Sequence, residues 1–160
     1  MSKIIIMKRI FAFLLIMLIF IFVSFNNDKF LELCSYYNSA SLSIFCENYT
    51  DTPNTNFTAI KNGDSYIIQT KASQAGNVLK NLMNCSGFLL TFNGTKEDVN
   101  NLLKQIKIVK TENYSDIQIF YCYTCGLVYS TIIDNKKVNL QICYNRGVIT
   151  LGTPIILGDY

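Results

Sequence analysis

The 160-residue chain contains no histidine and no tryptophan, and only two prolines. Without histidine, neither a Ser-His-Asp triad nor a Cys-His pair can be assembled, because both need an imidazole to move the nucleophile's proton. A closed zinc site needs four ligands, and Cys122-Tyr-Thr-Cys125 has no second such pair and no histidine to complete it. Also missing are the Gly-rich phosphate loop and the dinucleotide glycine fingerprint, so no cofactor is expected. A basic excess is lacking as well. The chain has 14 basic and 11 acidic residues, but Lys3, Lys8 and Arg9 stand in the first 25 positions, so residues 26–160 carry 11 of each. Nucleic-acid binders draw most of their affinity from neutralising phosphates, so no nucleic-acid partner is expected. The doublet Lys136-Lys137 reads as a solvated hairpin turn.

The charges that are present at the start have a purpose. They precede an apolar run from Ile10 to Val23 that Ser24 and Phe25 close. Cations held on the cytoplasmic side of an apolar stretch are the pattern of an export signal. The 16 residues from Ile10 to Phe25 fall between the roughly 7–15 of a cleaved signal core and the roughly 20 of a spanning helix. The exit Phe22-Val23-Ser24-Phe25 lacks small residues in a cleavage pattern, which favours an uncleaved anchor over a cleaved peptide. Residues 10–25 are thus expected to engage the membrane. The rest is placed on its extracytoplasmic face, or secreted if the leader is removed.

The chain divides into residues 1–25 as signal peptide or anchor, 26–57 as a weakly structured linker or reduced subdomain, and 58–160 as one domain with a core of its own. Alternation from Ser65 to Lys71 predicts a strand. Ala75, Val78, Leu79 and Leu82 recur at steps of three and four, predicting a helix from about Ser73 to Asn84. Ser86 to Phe92 reads as strand, and Asn93-Gly94 breaks it. Thr95 can cap the amide of Asp98, with Glu97 and Asp98 in the first turn, and the stripe Val99, Leu102, Leu103, Ile106 follows. Beyond Ser115, four strands are expected: Ile117–Tyr123, Leu127–Ile133, Lys136–Tyr144 and Val148–Leu151. Asp134-Asn135 and Asn145-Arg146-Gly147 would be the turns. The class is α+β, an antiparallel sheet with two helices packed on one face, preceded by one N-terminal hydrophobic helix.

Six cysteines in an exported chain raise the question of disulfides. Cys34 and Cys46 lie near each other in the sequence, and Cys122 lies on the strand facing the hairpin that carries Cys143, so one or two bridges are geometrically possible, with Cys122, Cys125 and Cys143 the candidates, alongside the plainer reading of buried free thiols. As a redox motif, Cys122-x-x-Cys125 lacks the helix N-terminus that lowers such a thiol. Carboxylates show no convergent pair, since Glu97-Asp98 is accounted for by helix capping. No catalytic residue is identified.

One resemblance rests on the second half of the chain. A strand leads to Phe92-Asn93-Gly94-Thr95-Lys96-Glu97-Asp98-Val99, which opens a helix. Ile119-Phe120-Tyr121-Cys122-Tyr123 and Val138-Asn139-Leu140-Gln141-Ile142-Cys143-Tyr144-Asn145 follow. The end reads Ile149-Thr150-Leu151-Gly152-Thr153-Pro154-Ile155-Ile156 and Asp159-Tyr160. Over about residues 60–160 this resembles the YwmB family, exported proteins of Gram-positive, spore-forming bacteria. The resemblance implies a curved sheet with helices on its convex side, similar to the TATA-box-binding protein. It implies no activity. Gly152, Thr153, Pro154, Ile155, Ile156 and Tyr160 carry the family motif, with a structural role. Phe88, Phe92 and Phe120 could wedge a minor groove, but alternating aromatics on strands are expected in a core.

The favoured expectation is a noncatalytic binding or scaffolding domain of the cell envelope. It would engage an envelope protein or peptide through the open sheet face, with Tyr121, Tyr123, Tyr129 and Tyr144 as contact surface. The alternative is an envelope enzyme acting on wall material through two convergent carboxylates.

Overall fold

Alternating apolar and polar residues set most of the architecture, because strand side chains face opposite sides of a sheet in turn. The computed structural model describes residues 29–50 and 56–155. The expected membrane segment at 10–25, and Ile156 and Tyr160 of the family motif, lie outside the described residues.

A helix, α1, covers residues 29–36. Strands β1 (Ser41–Tyr49), β2 (Thr58–Asn62) and β3 (Ser65–Lys71) follow. After a 3-10 turn at Ala72–Gln74 comes α2 (Ala75–Leu79), then β4 (Leu82–Asn93) and α3 (Lys96–Leu103). The remaining strands are β5 (Lys107–Tyr114), β6 (Ile117–Tyr123), β7 (Thr131–Ile133), β8 (Lys136–Val138), β9 (Leu140–Asn145) and β10 (Val148–Thr153).

Eight strands form one antiparallel sheet in the order β2-β3-β1-β4-β10-β9-β6-β5, while β7 and β8 pair as a separate hairpin. The terminal strand β10 sits inside the sheet, between β4 and β9. Strands β3 and β4 both run opposite to β1, hence parallel to each other, and the segment carrying α2 crosses over β1 to join them. The longer crossover through α3 joins β4 to β5.

One face of the sheet carries a cross-strand row in register: Ile68, Ile44, Phe88 on β3, β1 and β4, and beside it Leu42, Leu90, Leu151, Ile142 on β1, β4, β10 and β9. These residues join Phe30 and Cys34 of α1, Ala75 and Val78 of α2, and Val99 of α3 in one buried cluster. The rings of Phe30 and Phe88 stand 4.0 Å apart, and those of Tyr37 and Phe92 stack at 3.9 Å. Burying each large side chain contributes about 1.5–3 kcal/mol, so this row is the main source of stability. The opposite face presents Phe45, Ile67 and Leu89, all half-buried.

The α+β class and the antiparallel sheet follow the sequence expectation, and so does the start of α3. Thr95 Oγ1 accepts from the Asp98 amide at 3.3 Å, and Asp98 Oδ2 accepts from the Thr95 amide at 2.8 Å. This reciprocal pair holds the Asp98 carboxyl below the usual range, chiefly through the backbone bond. The two expected turns are also present. Asp134 and Asn135 at φ 49° and 60°, and Arg146 and Gly147 at φ 47° and 87°, supply the left-handed residues that two-residue hairpins require.

Four expectations need correction. The segment 26–57 is not merely weakly structured, because β1 lies inside the sheet with a neighbour on each side, its Leu42, Ile44 and Cys46 alternating inward. The helix expected to reach Asn84 ends at Leu79, since Leu82 and Met83 already pair with Tyr49 and Asn48. Residues 107–114, where no strand was expected, form β5. The strand expected over Leu127–Ile133 is mostly loop, with strand only at Thr131–Ile133. The start of the loop, at Thr124 and Leu127, is held by the side chain of Asn139, 1% exposed. That amide accepts from Thr124 N at 2.9 Å and donates to Thr124 O at 2.7 Å and Leu127 O at 3.2 Å.

Candidate functional site

The 124–130 loop has a second consequence. Leu127 packs into the main core, and Val128 and Tyr129 stand near Phe30 of α1 and the first residues of β4. Between them lies a cavity of about 400 Å³ walled by Phe30, Ile44, Leu79, Leu82, Phe88 and Leu127. Asn84, Cys85, Val128 and Tyr129 stand on its walls as well, together with Gly87 and Thr153. Apolar walls with a few polar groups are what a binding cavity of this size typically presents.

Thr153 supplies the polar group of greatest interest. It is 2% exposed, and its Oγ1 has no hydrogen-bond partner among the described residues. A buried hydroxyl without a partner forfeits about 1–3 kcal/mol, and buried polar side chains nearly always find one. Gly87 makes room beside it. A Cβ at position 87 would run into the carbonyl oxygen of Thr153, so only glycine lets the end of β10 lie this close to β4.

A β-bulge shapes the cavity's lower wall. Phe45 pairs with Gly87 but Cys46 pairs with Cys85, so Ser86 is an extra residue on β4. It reverses the alternation of β4 and turns Cys85 to the core side. Next to it Asn84 takes a left-handed conformation, φ 53°, and its Nδ2 donates to Glu47 Oε2 at 2.8 Å. Burial pushes the Cys85 thiol up to about 11, and the charge of Cys46 adds to this. Burial also raises the Tyr129 phenol, with Cys85 contributing.

The residues singled out from the sequence are distributed differently. Gly152, Thr153, Pro154 and Ile155 run from the centre of the sheet to its end, with Gly152 paired to Leu89 and Gln141. Of these, Thr153 alone reaches the cavity. Cys122 faces the core and its thiol is pushed up to about 12 by burial, the reverse of what a redox nucleophile needs. Cys143 pairs with Ile119 while Cys122 pairs with Leu140, which places the two cysteines on opposite faces of the sheet and separates the proposed partners. Cys125 is exposed.

The four tyrosines do not share a face. Tyr121 and Tyr123 lie on the open side, Tyr144 packs against the core cluster, and Tyr129 is at the cavity. All four are half-buried. Phe88, Phe92 and Phe120 pack in or against the core. Lys136 and Lys137 begin β8 after the turn, and Lys137 Nζ stands 5.8 Å from the Tyr123 ring centre.

Two carboxylates do converge, but on an ammonium. Lys110 Nζ lies 2.8 Å from Glu112 and 3.1 Å from Asp134, clipping the β7–β8 hairpin to β5. Hydrogen bonding to Glu112 first, then to Asp134, raises the Lys110 ammonium, and the bond from Lys110 holds Glu112 below its usual range. A carboxyl held ionised in this way does not serve as a general acid. No group of three metal-ligating side chains occurs among the described residues, and no helix among them is long and apolar enough to cross a membrane.

Sequence reading missed Phe30 as a cavity wall, Leu127 and Val128 beside the expected contact residue Tyr129, and the bulge at Ser86. The first two had a faint signal, apolar residues in segments otherwise read as linker and strand. No known family model matches the chain, and no curated protein matches it either.

Proposed function

We propose that the chain is a noncatalytic binding domain of the bacterial cell envelope, of the YwmB kind and with that family's TATA-box-binding-protein-like curved sheet. Residues 10–25 hold it at the outer face of the cytoplasmic membrane, or release it if the leader is cleaved. Its partner is a peptide segment of an envelope protein, bound at the cavity between α1, β4 and the 127–129 segment rather than across the open face.

The observation that carries this reading is the unpartnered Thr153 hydroxyl at an apolar cavity. The volume of about 400 Å³ suits one or two aliphatic side chains, and the hydroxyl offers a hydrogen bond to the peptide carbonyl between them. The walls hold no carboxylate, and the chain has no histidine, so binding fits the chemistry better than turnover does.

Protease treatment of intact, wall-stripped cells bearing a C-terminally tagged chain tests the location. Loss of the tag, with the undigested mass showing whether the leader remains, agrees with the proposal. A protected tag beside a digested external control overturns it and reopens a cytoplasmic role.

A further inference from the structure

The paired strands place two cysteines directly opposite each other at one position among the described residues, Cys46 on β1 and Cys85 on β4. In an antiparallel pair, facing Cα atoms lie about 4.5–5.5 Å apart, inside the roughly 4.4–6.8 Å that a disulfide spans. Facing positions alone would not suffice if the side chains pointed apart. Here the extra residue Ser86 decides the matter. Regular alternation from Phe88 and Leu90 would send Cys85 to the open face, whereas the bulge returns it to the core side, where Cys46 already points after Leu42 and Ile44. Both cysteines pack with the same cluster, Cys46 buried and Cys85 half-buried.

We propose that Cys46 and Cys85 are a disulfide-forming pair that staples β1 to β4 across the bulge, at the wall of the Thr153 cavity. The oxidant is a small-molecule disulfide such as oxidised glutathione. Cys85, the more accessible of the two, attacks one sulfur of the oxidant as thiolate and expels the first glutathione thiolate. Cys46 then attacks the Cys85 sulfur and expels the second. The protein's two thiols lose two electrons, one disulfide is reduced to two thiols, and the two protons released by the cysteines pass to the two glutathione thiolates. Burial of both thiols makes the exchange slow at neutral pH and faster as pH rises, since the attacking species is the thiolate. The pairing differs from every one suggested by sequence spacing, because those pairings were read without the register.

The test equilibrates the reduced full-length chain, in detergent, with a glutathione redox buffer at mildly alkaline pH. The chain is then denatured, remaining thiols are alkylated, and peptides are mapped by mass. The expected result is a cross-linked pair containing Cys46 and Cys85, two hydrogen atoms lighter than the free peptides, with Cys34, Cys122 and Cys143 alkylated. The same treatment of Cys85→Ser should leave Cys46 alkylated and yield no cross-link. Six alkylated cysteines in the wild type, a bond that joins another pair, or glutathione retained on Cys85 with Cys46 alkylated would each overturn the proposal. Since the readout is covalent and needs no partner, it stands or falls separately from the peptide-binding reading.

Discussion

The side-chain amide of Asn139 takes the place of a neighbouring strand for Thr124, accepting from its amide at 2.9 Å and donating to its carbonyl at 2.7 Å. A third bond, to the Leu127 carbonyl at 3.2 Å, extends the same support toward the cavity wall. The β6–β7 connection is therefore held by one buried side chain rather than by a ladder.

Asn139→Ala should accordingly destabilise the fold by about 3 kcal/mol, since it strands three loop polar groups at about 1–3 kcal/mol each with partial rescue by water. Urea unfolding measures the loss. Amide exchange should accelerate at residues 124–130 before the sheet is affected.

Thr95→Ala removes the hydroxyl half of the α3 cap and should cost about 1 kcal/mol at neutral pH. The pH dependence has a fixed sign. Asp98 titrates below its usual value when folded, so its contribution is present above the unfolded carboxylate range and fades as pH falls through the folded value. The stability gap between wild type and Asp98→Ala should therefore narrow on acidification below about pH 4, as followed by thermal melts across that range.

Thr153→Val keeps shape and removes the unpartnered hydroxyl. It should leave stability unchanged or raise it by about 1 kcal/mol, because no buried polar group is then left without a bond. The same change should weaken peptide binding roughly tenfold, the loss of one hydrogen bond of about 1.4 kcal/mol. Stability and affinity moving in opposite directions is the signature of a hydroxyl kept for a ligand.

In the fully reduced native protein, Cys125 should be the first thiol modified by an exposed-thiol reagent at neutral pH, because it is the exposed one. Cys34 and Cys122, pushed to about 12 by burial, should react only on unfolding. Timed alkylation with mass mapping gives the order. Rapid labelling of Cys122 would contradict its place on the core face.

How legible the fold was depended on where each strand lies. Strand β3 was readable because Tyr66, Ile68 and Thr70 alternate inward, and α3 because its cap and apolar stripe agree. Strands β2 and β5 occupy the two edges of the sheet, where most side chains face solvent and the period of two disappears. Strand β1 has the period, but it is spread among serines. The candidate site was hardly legible at all. Thr153 stood out only within a family motif, while the cavity depends on α1, on the Asn139 bonds and on one extra residue at Ser86, none of which leaves a periodic trace. The pairing of Cys46 with Cys85 depends on register, which no count of sequence spacing contains.

The most direct test of the binding reading is a titration of the isotope-labelled full-length chain with N-acetyl-leucyl-leucinamide, followed by nuclear magnetic resonance on wild type and Val128→Trp. The account predicts shifts concentrated at Phe30, Phe88, Leu127 and Thr153, and their loss when the tryptophan plugs the half-exposed mouth at Val128. Shifts centred on Phe45, Ile67 and Leu89 of the open face, or none at any residue, would contradict it.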